Sequence, residues 1–217
     1  MPAPSSAYPG PAHPGPGHSG PPQSPTAVKI VVAGGFGVGK TTFVGAISEI
    51  VPLTTEAVLT AAGQSIDDLS KVPGKTSTTV AMDFGRITLD PSLVLYLFGT
   101  PGQDRFWFMW DELVRGAVGA VVLADTRRLR DSFAPIDFFE HRRLPYVVAV
   151  NPFDGAQRYD LADVASALST NAPVLTCDAR DRIQVRDLLI TLVGHALNRR
   201  TGAVTRIPLS IQTGGPR

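Results

Sequence analysis

The sequence predicts an α/β fold, with a mostly parallel sheet of six strands and helices on both faces. Short apolar runs alternate along the chain with longer stretches of helical periodicity. A glycine-rich segment follows the first apolar run and opens the first helical stretch. The 217 residues are 43% hydrophobic and 18% charged, which is enough for one globular domain.

The six predicted strands are apolar runs bounded by turn residues, at 27–34, 79–89, 92–99, 116–125, 145–151 and 172–177. The predicted helices cover residues 40–51, 131–143, 161–169 and 182–198. Pro52 is expected to stop the first. One face of the last carries Val185, Leu188, Leu189, Leu192, Val193, Ala196 and Leu197. Residues 54–78 are polar and are interpreted as a long loop with room for a helical turn.

Composition divides the chain into a tail (1–26), a domain (27–199) and a second tail (200–217). Nine of the 19 prolines lie in the first 25 residues, so this segment is predicted to be disordered. A net charge of +1 argues against nucleic acid as a partner. With one cysteine and no apolar run long enough to span a membrane, the cytoplasm is the expected compartment, with any membrane contact made through a partner.

The segment from Gly34 to Thr41 satisfies the pattern G-x-x-x-x-G-K-[ST], with a strand before it and a helix after it. Glycines allow the backbone N–H groups to surround a phosphate, and the helix N-terminus adds partial positive charge. Lys40 would reach the β- and γ-phosphates, and the Thr41 hydroxyl is a ligand type suited to Mg²⁺. The domain is therefore predicted to be a P-loop NTPase whose loop residues bind nucleotide: Gly34, Gly35, Phe36, Gly37, Val38, Gly39, Lys40, Thr41 and Thr42.

Three later strand ends narrow the choice of nucleotide. Gly102 and Gln103 offer an amide for a γ-phosphate and a side chain able to orient water, so Gln103 and Lys40 are the predicted catalytic residues. Asn151 precedes Asp154, whose carboxylate could accept from N1–H and N2–H₂ of guanine, donors that adenine lacks. The third strand ends in Asp178, Ala179 and Arg180, where the Ala179 amide could meet guanine O6.

With these motifs in this order, residues 27–199 resemble the Ras-like small GTPases. "TTVAMDF" is similar to the first switch, which places its Mg²⁺-ligating threonine at Thr79, with Thr78 as an alternative one residue away. "TPGQ" resembles the second switch; "NPFD" and "CDAR" resemble the base motifs usually written NKxD and SAK. The resemblance implies a switch that binds GTP or GDP with Mg²⁺.

The pairing of "TTVAMDFGRI" with "LFGTPGQDRFWFMW" is similar to the bacterial MglA-like branch, and within it to the D-component GTPases of actinobacterial conservons. That resemblance implies work beside a roadblock-fold regulatory protein and a sensor histidine kinase. At least one aromatic after the second switch should be exposed, because Phe106, Trp107, Phe108 and Trp110 cannot all face inward on one helix.

Three positions depart from the Ras-like pattern. Gly99 stands where an aspartate usually orders a magnesium-bound water; Asp83 and Asp125 could substitute, although ordinary strand residues are the simpler interpretation. Pro152 replaces a lysine that covers the purine and ties to the phosphate loop, so its loss should weaken binding. Phe36 replaces a glycine, and either crowds the γ-phosphate or turns outward onto the second switch.

These departures leave more than one function open. The leading hypothesis is a GTP-binding switch that hydrolyses GTP slowly. The alternative is a binding module that holds nucleotide with little or no hydrolysis. A P-loop ATPase or kinase is less favoured, because the sequence shows no arginine-rich lid or acceptor site.

Overall fold

The computed structural model describes residues 24–51, 53–59, 78–102 and 104–201. Most of both predicted tails and Gln103 lie outside these ranges, as do the side chains of Thr78 and Thr79. The described strands are β1 (Thr26–Ala33), β2 (Leu53–Leu59), β3 (Thr78–Asp90), β4 (Leu93–Gly99), β5 (Ala117–Ala124), β6 (Tyr146–Val150) and β7 (Val174–Thr176). The α-helices are α1 (Lys40–Ile47), α2 (Trp110–Val114), α3 (Phe133–His141), α4 (Leu161–Ala167) and α5 (Arg182–Thr201).

The described strands form one sheet in the order β2-β3-β4-β1-β5-β6-β7. Strands β4, β1, β5, β6 and β7 are parallel, while β2 and β3 form an antiparallel extension. The predicted α/β class is confirmed, with one strand more than expected. The loop interpretation was wrong for residues 54–59, which belong to β2 and pair with β3. The pairing satisfies backbone groups through a partner distant in sequence, which local polarity does not reveal.

Helices cover both faces of the sheet, and successive strand residues point to opposite layers. In β1, Ile30 and Val32 pack with α1 and α5, while Val31 and Ala33 pack with α2, α3 and α4. The central strands are buried on both sides, which is why their sequences are continuous apolar runs rather than alternating ones.

Helix α1 ends at Ile47, four residues before the predicted end at Val51. Ser48 leaves the helix with φ −64° and ψ 141°. Its hydroxyl donates to the Ile50 carbonyl and accepts from the Arg86 amide, at 2.7 and 3.3 Å. A local serine turn therefore stops the helix, and Pro52 is not its cause.

Helix α5 buries most of the predicted apolar face, including Val185, Leu188 and Leu192. Val193 and Leu197, which were predicted on the same face, are exposed. The buried face of α5 is narrower than the apolar face that the sequence predicts, because α5 packs beside α1 on one side of the sheet only. Among the described helices, none is long and apolar enough to cross a membrane.

Candidate functional site

The predicted site residues lie where the parallel strands end. In an open α/β sheet, ligands bind outside the carboxyl ends of the strands, and the loops after β1, β4, β6 and β7 meet there. The loop between β1 and α1 is shaped by glycines: Gly37 and Gly39 have φ of +73° and +104°. A Cβ at Gly39 would lie 2.8 Å from Nδ2 of Asn151, so side chains are excluded there by space as well as by backbone conformation.

Lys40 is buried inside this loop. Its Nζ donates to the carbonyl oxygens of Gly34 and Gly35 at 2.9 and 2.8 Å. Burial lowers the pKa of Lys40 to about 8, and the nearby Asp83 carboxylate partly opposes that shift. The ammonium is therefore held where the loop surrounds it, the position required of a phosphate-binding lysine.

The Asp83 carboxylate stands beside Gly99 and Thr41. Thr41 Oγ1 donates to Asp83 Oδ2 at 2.8 Å. A Cβ built on Gly99 would meet the Asp83 Cβ and Oδ2 at 3.0 Å, so β3 places its carboxylate in the space that a Gly99 side chain would enter. Asp83 therefore contacts the predicted magnesium ligand Thr41, and its role as a substitute for the carboxylate missing at Gly99 stays a prediction. Asp125, the other candidate substitute, is instead bound by the Arg127 guanidinium at 2.8 and 2.9 Å.

Gly102, which was predicted to belong to a second switch, packs against the phosphate loop. A Cβ there would lie 2.7 Å from Lys40 Nζ and 3.1 Å from the Phe36 nitrogen, so only glycine allows this approach. Gln103 lies outside the described residues, and its catalytic role stays a prediction. Thr78 and Thr79 are the first residues of β3, but only their backbone is described, so the choice between them also stays open.

The two base motifs meet the phosphate loop at a cleft of about 190 Å³. Asn151 joins them: its Nδ2 donates to the Val38 carbonyl at 3.0 Å, and its Oδ1 accepts from the Ala179 amide at 3.1 Å. The lining residues are Gly37, Gly39, Thr42, Asn151, Pro152, Phe153, Asp154, Asp178, Ala179 and Arg180. Three motifs that are far apart in sequence therefore share one cleft.

Two aspartates line this cleft, and they differ in how closely Arg180 holds them. The Asp154 side chain is 95% exposed and lies 4.0 Å from the Arg180 guanidinium. Arg180 holds Asp178 through hydrogen bonds of 2.8 to 3.2 Å, and these bonds lower the pKa of Asp178. Asp178 is thus occupied by its own neighbour, whereas the Asp154 carboxylate is open to a ligand.

Phe36 is 68% exposed, so its ring has turned outward. It lines a cavity of about 490 Å³ together with Pro101, Trp107 and Trp110. The two indole rings are stacked, with centroids 4.8 Å apart. Trp110 is buried while Phe108 is exposed, as expected for a segment with too many aromatics for one inward face. The cavity puts exposed aromatic surface directly beside the phosphate loop.

The sequence analysis missed the segment that follows β5. The Arg127 guanidinium lies 4.0 Å above the Phe153 ring, and Arg128 Nη2 donates to the Phe36 carbonyl at 2.8 Å. The Asp131 side chain would be 2.8 Å from a Cβ at Gly35. The sequence does contain a signal for this segment, because charged residues directly after a buried parallel strand lie at the edge of the sheet where ligands bind.

The oxygen groups at this edge fit a magnesium ion. Thr41 offers a hydroxyl and Asp83 a carboxylate within 2.8 Å of each other, and hard oxygen ligands of this kind suit Mg²⁺. In the described part of the chain no group of three or more His, Cys, Asp or Glu side chains could hold a metal alone. A site of this composition would rely on phosphate oxygens and water for its other ligands.

Solved structures with a similar fold include two G domains of FeoB proteins. The G domain of the T. maritima FeoB iron transporter aligns with a TM-score of 0.52 and 21% identity, covering 79% of this chain and 99% of that one. The FeoB G domain from Methanococcus jannaschii aligns with a TM-score of 0.53 and 12% identity, covering 79% and 98%. At these identities the likeness establishes the fold alone.

Sequence comparison gives closer relatives. An uncharacterized protein of Methanocaldococcus jannaschii is 32% identical over 129 residues, which is 58% of this chain and 71% of that protein. The profile of a family described as "Conserved hypothetical ATP binding protein" matches residues 32–199, most of the chain and all the motifs above. The chain is therefore a nucleotide-binding protein with a P-loop NTPase fold, and it belongs to this family of conserved hypothetical ATP binding proteins.

Proposed function

We propose that the protein is a guanine-nucleotide switch that binds GTP or GDP with Mg²⁺, hydrolyses GTP slowly and changes its partners with the nucleotide state. The observation that carries the proposal is the exposed Asp154 carboxylate at a cleft lined also by the phosphate loop and Ala179. A carboxylate can accept two hydrogen bonds from guanine, whereas adenine presents no matching donors.

Adenine is the competing base, because the family description names ATP. The decisive experiment is competition of GTP and ATP for a fluorescent guanine nucleotide bound to the purified protein. We expect GTP to displace the probe at far lower concentration than ATP. Equal competition by the two nucleotides would contradict guanine selectivity and leave a P-loop ATPase as the better assignment.

Asp154→Asn tests the same point within the site. The variant should lose GTP affinity by roughly 1–3 kcal/mol, the cost of leaving a hydrogen-bonding group unmatched. It should gain affinity for xanthine nucleotides, whose C2 carbonyl suits an asparagine donor. Asp163→Asn, an exposed carboxylate on α4, is the matched control and should change neither affinity.

For turnover, the proposal assigns Lys40 to the β- and γ-phosphates and Gln103 to the orientation of the attacking water. Thr41 would ligate Mg²⁺, together with Thr79 of the first switch, while Asp83 would hold a water of the ion. When bound, the magnesium ion would neutralise part of the negative charge of the phosphates. Gln103→Leu should abolish single-turnover phosphate release but keep GTP binding. If wild type binds GTP and releases no phosphate, the alternative of a non-hydrolysing binding module is correct.

The proposed partner surface consists of the exposed rings of Phe36 and Phe108 and the half-buried Trp107, beside the predicted second switch. We propose a roadblock-fold regulatory protein as the partner and a sensor histidine kinase in the same complex, in the cytoplasm, with membrane contact only through such partners. Phe108→Ala should weaken the roadblock complex in calorimetry without changing nucleotide affinity. A complex that is insensitive both to this change and to exchange of GDP for a GTP analogue would contradict the proposal.

A further inference from the structure

We infer that Arg128 replaces the lysine missing at position 152: it tethers the phosphate loop from outside and so orients a loop amide toward the phosphates. This inference rests on the nucleotide binding proposed above. Arg128 is a positioning residue in this inference, because it acts on the nucleotide only through the backbone of the phosphate loop.

The geometry of one peptide unit carries the argument. Arg128 Nη2 donates to the carbonyl oxygen of Phe36 at 2.8 Å. In a trans peptide the C=O and the following N–H point in opposite directions. Fixing the Phe36 oxygen on the outer side therefore fixes the Gly37 N–H on the inner side. Gly37 has φ +73°, a conformation with several alternatives for glycine, so the tether selects one of them.

A second tether works in the same way two residues later. Asn151 Nδ2 donates to the Val38 carbonyl at 3.0 Å, which fixes the Gly39 N–H by the same peptide geometry. The two bonds come from different loops, one after β5 and one after β6. Together they restrain alternate peptide units of the loop, and an anion site made of preoriented amides needs no rearrangement on binding.

Arg128 is free to make this bond because its neighbour satisfies the adjacent carboxylate. Arg127 takes both oxygens of Asp125 at 2.8 and 2.9 Å, while Arg128 stays 3.8 Å from Asp125 and 3.9 Å from Asp131. The backbone at Arg128, φ −141° and ψ 47°, breaks the 3₁₀ segment Thr126–Ser132 and aims the side chain at the loop. The Phe36 carbonyl is thus its shortest described contact.

The substitution at Pro152 explains why such a tether is needed. A lysine there would reach the loop from β6, but proline has no donor. Arg127 and Arg128 divide the two tasks of that lysine: Arg127 covers Phe153 of the base motif, and Arg128 bonds the loop. Arg128 lies in the segment that follows β5, and β5 is the neighbour of β6 in the sheet.

The test is the dissociation rate and affinity of a fluorescent GDP for Arg128→Ala. Arg130→Ala is the matched control, because Arg130 is on the same segment, is 86% exposed and contacts only Asp131 among the described charges. We expect Arg128→Ala to lose about tenfold in affinity, mostly through faster dissociation, with Arg130→Ala near wild type. Equal affinities of the two variants would overturn the inference.

Two further variants separate a tether from general destabilisation. Arg128→Lys, which keeps a donor, should retain most of the affinity, and Pro152→Lys in the Arg128→Ala background should restore part of it. Failure of Pro152→Lys to restore any affinity would overturn the claim that Arg128 replaces that lysine. The loss should also persist with a xanthine nucleotide in an Asp154→Asn background, since the tether acts on phosphate rather than base; a loss confined to guanine would overturn it. A wild-type protein that binds no guanine nucleotide is a different result, and it would contradict the proposed function itself.

Discussion

At the scale of single residues, the carboxylate that is bonded to Thr41 comes from β3 and not from the end of β4. Gly99 ends β4 without a side chain, and Asp83 from β3 fills the adjacent space and accepts from Thr41. Strand pairing explains the contact, because Phe84 of β3 pairs with Phe98 of β4, and this brings Asp83 beside Gly99. In the proposed function, Asp83 supplies the carboxylate that the Ras-like pattern expects at position 99.

Substitutions at positions 83 and 99 test whether Asp83 supplies the carboxylate that the metal site needs. Asp83→Asn should weaken nucleotide binding about tenfold or more in Mg²⁺ but leave binding in EDTA unchanged, the usual scale for a residue that orients a metal's ligands. Gly99→Asp should also weaken binding, because its carboxylate would crowd that of Asp83. The double variant Asp83→Ala, Gly99→Asp should recover part of the loss. If it binds no better than either single variant, the two positions are not equivalent.

The lowered pKa of Lys40 predicts a pH dependence. Burial brings the pKa to about 8 from 10.5, so without nucleotide the lysine loses its charge above about pH 8. Phosphate binding favours the ammonium form, so affinity should fall as the pH rises from 8 to 9.5, with proton uptake at pH 8.5 in calorimetry. Across pH 8 to 10.5, unfolding takes up a proton, so Lys40 favours the folded apo state increasingly as the pH rises. Affinity that is constant across this range would contradict the assignment.

At the scale of elements, α5 presents two different faces. Leu192 is fully buried and would be 2.9 Å from a Cβ at Gly119 of β5, so helix and strand approach closely there. Ile190, two residues earlier, is 63% exposed. Two aliphatic residues of the same size thus differ in burial, according to whether the sheet covers them.

This difference predicts unequal stability losses. Leu192→Ala should reduce the free energy of unfolding by about 2–5 kcal/mol, because it removes buried area and leaves a cavity in close-packed surroundings. Ile190→Ala should change it by less than about 0.5 kcal/mol. Urea unfolding monitored by circular dichroism measures both. Similar losses would mean that Ile190 is covered in solution.

At the scale of the whole molecule, the phosphate loop is bonded by side chains from three separate parts of the chain. Lys40 lies inside the loop, Asn151 reaches it from β6, and Arg128 reaches it from the segment after β5. A ligand that binds the loop should therefore stabilise the entire domain, since it binds the folded state alone.

Nucleotide should raise the melting temperature by roughly 5–10 °C at a concentration of about 100 times Kd. Lys40→Ala should abolish this shift. It should not lower the melting temperature of the apo protein, because the lysine pays a desolvation cost in the fold and its ammonium contacts no core residue. Differential scanning calorimetry with and without GDP and Mg²⁺ measures both effects. A full shift in Lys40→Ala would contradict the role of the loop.

Much of this organisation could be predicted from local pattern. The glycine loop, the lysine and the strand-end motifs at Asn151 and Ala179 lie within a few residues of strands that are apolar throughout, so their shared edge follows from parallel topology alone. Helix α1 and the β2 strand were less predictable. The end of α1 depends on a serine side-chain bond, and β2 depends on pairing with β3, whose described residues begin 19 positions after β2 ends.

The sequence by itself determined the α/β class and the phosphate loop, because both depend on short-range spacing and periodicity. It also determined which base-motif residues meet that loop, since chain order and parallel strands leave one edge for them. Only the tertiary structure brought Asp83 beside Gly99 and Arg128 onto the phosphate loop. Asp83 lies on β3, and Arg128 lies in the segment after β5. Contacts between such distant segments depend on strand register and side-chain direction, which no single stretch of sequence contains.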